Sequence, residues 1–142
     1  MEVIIDPRSF YQAKSGSIVG SVWIRTQGEQ DIMFPEAGWT DFPVVILGWW
    51  LNEIVALVSG HATEATCSFM DGPFEFRLTA SGDVQLSRRP DEGTLNLGRF
   101  RRPESARELW DSLHTAAVAV LTECEARGWS NDDVDVLRRY VS

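Results

Sequence analysis

Between Phe42 and Val58 the chain reads FPVVILGWWLNEIVALV, and this stretch limits the fold more than any other. Wound as a helix, it places apolar residues around most of its circumference: 42, 46, 49, 50, 54, 57 and 58, with 44, 45, 47, 51 and 55 between them. A helix apolar nearly all round must be covered on more than one side. A membrane could supply that cover, but a span needs about 20 apolar residues. Here Asn52 and Glu53 break the run and Gly60-His61 ends it, so the sequence predicts a core helix. Thr40 or Asp41 is placed to cap it, with Pro43 in the first turn, where a missing N–H costs nothing. Gly60 is a natural stop. Gly48 gives up about 1 kcal/mol of helix propensity relative to alanine. It is expected to let another backbone come close.

What surrounds this helix has a different period. Upstream, Val3 to Ile5 reads as a short strand ended by Asp6-Pro7. SIVGSVWIRT (17–26) reads as a second, with Gly20 marking a bulge or a close approach. Gln27 to Gln30 then forms a turn, and Asp31 to Phe34 a returning strand stopped by Pro35. Downstream, from Thr63 to Phe100, apolar residues alternate. TEATCSFM, PFEFRLTA, a strand from Val84 and another from Leu95 are separated by Asp71-Gly72, Ser81-Gly82-Asp83 and Pro90 to Gly93. Short turns of this kind predict an antiparallel meander.

The final third returns to helical period. Apolar positions 106, 109, 110, 113, 117, 120, 121 and 124 form one stripe, with Pro103 near its start and Gly128 at its end. Ser130 to Asp133 caps a short helix carrying Val134, Leu137, Tyr140 and Val141. The order is strands, a buried helix, strands, then helices. It predicts a single α+β domain over residues 1–142: an antiparallel meander sheet, a buried central helix and a long C-terminal helix packed on one side. The βαβ alternation of a dinucleotide-binding fold is missing.

Composition narrows the function. With 44% hydrophobic residues the chain can build a core, and disorder is excluded. A formal charge of −8 argues against nucleic acid as a partner, because a phosphate backbone requires a basic surface. The same charge suits steering toward a basic partner. The N-terminus lacks the charged, apolar, small-residue order of a secretory signal. Cys67 and Cys124, far apart in apolar patterns, are then expected to be reduced core thiols, and the localisation cytoplasmic.

No catalytic motif emerges. His61 and His114 are the two histidines, and neither they nor the cysteines adopt a metal-ligand spacing. No metal or cofactor is expected. There is no nucleophile elbow. The glycine-rich KSGSIVGS (14–21) lacks the lysine ending of a phosphate loop and precedes a strand rather than a helix. The acidic pairs Glu2/Asp6, Asp91/Glu92 and Asp132/Asp133 stand near turns and helix starts, where capping and the helix dipole favour them.

Two features stay open. Arg88, Arg89, Arg99, Arg101 and Arg102 crowd one segment of a chain with 13 Lys and Arg in all. On paired strands they would form a positive patch able to hold an anion or an acidic partner, or a solvated edge that resists aggregation. The other feature is the tryptophans, six in number. Trp49 and Trp50 point about 100° apart around a helix. Both are buried only if a second layer of the chain, or a partner, covers a broad arc. Trp39, in the preceding loop, is expected to be the most exposed.

The segment PEAGWTDFPVVILGWWL between strands, the C-terminal helix, the small size and the acidic charge together resemble the small immunity proteins of bacterial toxin systems. That resemblance implies a non-catalytic protein that binds and neutralises a cognate toxin. Its contact residues are sought at Trp39, Trp49, Trp50, Arg88, Arg89, Arg99, Arg101 and Arg102. The alternatives are a small-molecule-binding protein or unrecognised enzyme with a pocket between sheet and central helix, and a homodimer that buries the same surface.

Overall fold

The computed structural model of the chain describes residues 1–26, 31–88, 94–96 and 104–141. Its strands are β1 (Glu2–Gln12), β2 (Ile18–Thr26), β3 (Ile32–Phe34), β4 (Thr40–Asp41), β5 (Glu64–Ser68), β6 (Phe74–Thr79), β7 (Val84–Arg88) and β8 (Thr94–Asn96). Its helices are α1 (Pro43–Val58), α2 (Ala106–Ala126) and α3 (Asp132–Val141). The fold class is α+β, with every strand pair antiparallel. The strands divide into two sheets of four. One runs β1-β2-β3, with β4 also on β2; the other runs β5-β6-β7-β8, the meander expected from the period-two segment.

The first strand is longer and less regular than its sequence suggests. β1 does not end at Asp6-Pro7. Its register with β2 breaks between Asp6, opposite Ser21, and Tyr11, opposite Val19, so the intervening residues bulge away from Gly20. The buried Phe10 ring occupies the space that a side chain at Gly20 would need: a Cβ there would lie 2.1 Å from Phe10 Cδ1. Arg127, just past α2, holds the bulge. It donates to Phe10 O at 2.7 Å and Pro7 O at 3.2 Å, pairs with Glu123 at 2.6 Å, and lies 4.8 Å over the Trp129 ring.

α1 is the central element. Ile46, Leu47, Trp50, Leu51 and Ile54 have no exposed surface. The helix packs on β5, β2, α2 and α3, so its near-complete apolar girdle is met by both sheet and helix. Its cap differs from the one expected. Phe42 is the N-cap residue and no side chain caps the amides, although Pro43 does occupy the first turn. Thr40 and Asp41 instead pair as β4 with β2, and Asp41 is spent elsewhere. Its fully buried carboxylate accepts from Trp39 Nε1 at 2.9 Å, Phe42 N at 2.7 Å, Met70 N at 3.2 Å and Asp71 N at 3.1 Å.

That carboxylate sits beside an aromatic cluster joining the two sheets to α1. Phe34 meets Phe69 and Phe74 edge-on, each at 5.8 Å, and Trp39 meets Phe74 at 5.2 Å. Trp50 lies 4.9 Å from Phe69 and 5.1 Å from Phe76, and its Nε1 donates to Ser68 O at 2.8 Å. Edge-to-face pairs of this kind add about 0.5–1.5 kcal/mol each beyond their buried area.

The C-terminal helices follow the expected stripes. Ser105 caps α2, accepting from Glu108 N at 3.2 Å. Asn131 caps α3, accepting from Val134 N at 2.8 Å. Gly60 and Gly128 both take positive φ and close α1 and α2 through paired bonds, His61 N to Ala56 O and Trp129 N to Cys124 O. Among the described residues no helix is long and apolar enough to cross a membrane.

Candidate docking groove between α1 and α3

The sheet-facing side of α1 is closed, because the residues spaced to meet it are all fully buried. The opening lies on the opposite side, against α3. Trp49 precedes Trp50 by one residue, hence by about 100°, and is 46% exposed where Trp50 is 0%. With Val44, Val45, Gly48, Asn52 and Glu53 it forms one wall of a groove of about 350 Å³. Asp133, Val136 and Tyr140 of α3 form the other. These three recur at helix spacing, on the face that adjoins the buried Val134 and Leu137.

Local chemistry explains why the groove exists. Gly48 does not admit another backbone, as its position in the helix suggested; a Cβ there would find nothing within 4 Å. The missing side chain leaves the floor open. Tyr140 crosses the groove and its hydroxyl donates to Asn52 Oδ1 at 3.2 Å, tying the walls together. Glu53 accepts from the backbone of β5, Thr66 N to Oε1 at 3.0 Å, which holds its carboxylate in place. The result is an apolar surface of Trp49, Val45 and Val136 flanked by two carboxylates, Glu53 and Asp133. Among the described residues no Lys, Arg or His lines it.

The expected contact residues fall in different places. Trp49 stands in the groove. Trp50 is sealed in the core and has no face left for a partner. Trp39 is not the most exposed tryptophan: it is half-buried, in edge contact with Phe74 and Phe69, bonded to Asp41, and it fills the space beside Gly72. Arg88 is exposed and lies 5.3 Å over the Phe74 ring. Arg89, Arg99, Arg101 and Arg102 lie outside the described residues. This groove lies on the helix-facing side of α1, not between the sheet and the central helix where a pocket was expected.

Asn52, Glu53, Asp133, Val136 and Tyr140 were not singled out as site residues from sequence. One signal was available: Val136 is apolar but off the Val134/Leu137 stripe of a short helix, and an apolar residue on the wet side of a helix asks for a partner surface.

Other candidates are weaker. A wider groove of about 570 Å³ runs between Met1–Ile5 and α2. There Ser112 Oγ accepts from Val3 N at 2.8 Å, so α2 covers the outer edge of β1. Ser59 Oγ lies 2.8 Å from His61 Nδ1, but Ser59 also donates to Ala56 O, and both are exposed on the turn that ends α1. Cys67 and Cys124 are buried free thiols. Burial, and then the Glu53 charge, pushes the Cys67 thiol well above its usual range, which removes its thiolate at neutral pH. Among the described residues no three His, Cys, Asp or Glu side chains gather as a metal site.

Comparison with family models, with curated proteins and with solved structures gives no match for this chain.

Proposed function

We propose that this protein is a non-catalytic protein-binding module that receives its partner in the groove between α1 and α3. The observation that carries the reading is Trp49, 46% exposed on the most deeply buried helix of the chain. Exposing an indole beside Val136 leaves apolar surface in water at roughly 25 cal/mol per Å². Tryptophan in a partly enclosed apolar site is the residue type most often found to dominate binding energy. At about 350 Å³ the groove is at the small end of small-molecule sites, which run from roughly 300 to 1,000 Å³. That size suits one or two side chains of a protein better than a cofactor.

The net charge of −8 supports a basic partner and fast, salt-sensitive association. An immunity-type role, in which the partner is a toxin neutralised in the cytoplasm, agrees with this charge and with the sequence resemblance.

A photo-crosslinking residue in place of Val136 tests the reading in the native cell. It should form an adduct with another protein, and Trp49→Asp should abolish the adduct while leaving the melting temperature within a few degrees. An adduct only with a second copy of the chain would make the groove a homodimer interface. No adduct, with the purified protein retaining a metabolite, would replace the module by a small-molecule-binding protein. For the immunity role, co-expression should protect cells from the toxin encoded beside it, and Trp49→Asp should remove that protection.

A further inference from the structure

We infer that the partner fills this groove with an arginine side chain, its guanidinium laid on the Trp49 indole and directed to the carboxylates of Glu53 and Asp133. The inference rests on the protein-binding reading and names the chemistry of the anchor. Three observations lead to it.

The charge in the groove is one-sided. Glu53 and Asp133 both line it, and among the described residues no cationic side chain does. Of the two basic residues of α3, Arg138 is 3.6 Å from Asp135 on its own helix, and Arg139, though one turn from Val136, is not among the groove's lining residues. A neutral apolar occupant would bury two carboxylates without compensation, which is unfavourable. An anionic occupant would be repelled.

The charged hydrogen-bonding groups are also one-sided. The two carboxylates only accept, while Asn52 accepts from Tyr140 through Oδ1 and keeps its NH2 as a neutral donor. An occupant that satisfies the carboxylates must therefore bring donors, and it must bring an apolar or π-stacking body to lie on Trp49 and Val136. A guanidinium does both: it stacks on aromatic faces, sheds water more readily than an ammonium, and offers a planar fork of donors. Tryptophan is the best aromatic platform for a cation.

The chain builds the same arrangement internally. At the end of α2, Arg127 lies 4.8 Å over Trp129 while its Nε donates to Glu123 at 2.6 Å. The groove likewise presents an indole and carboxylates, two here where that trio has one, and among the described residues no arginine lines it.

Two capped peptides, identical except for arginine or its neutral isostere citrulline, test the inference by NMR on the 15N-labelled protein. The Trp49 indole resonance is assigned through Trp49→Phe. The arginine peptide should shift the Trp49 indole and Gly48 amide saturably, and the citrulline peptide should bind about fivefold more weakly or worse. Glu53→Gln keeps an oxygen for Thr66 N while removing the charge, and Asp133→Asn keeps the helix start polar. Each should weaken the arginine peptide by a few-fold, and raised salt should do the same. Equal shifts from both peptides, no shift at about 10 mM, or indifference to both variants would overturn the arginine anchor. Free L-arginine forms a third arm: tighter binding than the peptide would assign the site to a metabolite and overturn a protein source. The two readings fail separately. A Val136 adduct lost in Trp49→Asp, with no arginine preference, removes the anchor and keeps the module. Arginine binding with no protein adduct removes the module.

Discussion

Trp49 and Trp50 show how much a single residue's position decides. They are chemically identical and adjacent, yet one is fully buried and the other nearly half exposed. Trp50 packs on Phe69 and Phe76 and donates its indole N–H to Ser68 O. Trp50→Ala should therefore cost about 3–5 kcal/mol, the usual loss for emptying a large core site. Trp49→Ala should stay within about 0.5 kcal/mol, as for a surface change. Urea midpoints measured side by side check the pair, and equal losses would show that the groove side of α1 is structural. From sequence both tryptophans stood as contact residues, because periodicity reports that a helix face is apolar and is silent on which other element meets it.

At the scale of elements, most of the architecture was legible. The two helical stripes, the period-two segment, Gly60, Gly128 and the Asn131 cap all act as their sequence context dictates, since each depends on neighbours within a few residues. The failures lie where a partner distant in the chain intervened. Asp41 reads as a helix cap, but four donors, two of them from Met70 and Asp71, claim its carboxylate. Gly48 reads as a close-approach site and is instead open space. Gly48→Ala should consequently stabilise α1 by up to about 1 kcal/mol, because the added methyl meets nothing within 4 Å. A fall in the urea midpoint would mean that the groove floor is tighter than its geometry indicates. The same variant places a methyl in the groove and should weaken partner binding while raising stability.

The whole molecule depends on tying two sheets to one helix, and Asp41 is the knot. Each of its carboxylate oxygens accepts from two donors. An asparagine amide, whichever way it turns, sets its NH2 against two of them. Asp41→Asn should cost about 3 kcal/mol, two charge-assisted bonds at about 1.5 kcal/mol or more each. Asp31→Asn, on the exposed surface, should change little. Equal midpoints for the two variants would show that the sheets are held by the aromatic cluster alone. Local period, composition and turn chemistry by themselves determined the α+β class, the antiparallel strands and the buried helix, because those properties are carried by short stretches of chain. Only the tertiary structure decided that the strands form two sheets, that Trp49 rather than Trp39 or Trp50 is presented, and that α3 closes the second wall. Those outcomes rest on contacts such as Tyr140 with Asn52, 88 residues apart, whose existence no local pattern encodes.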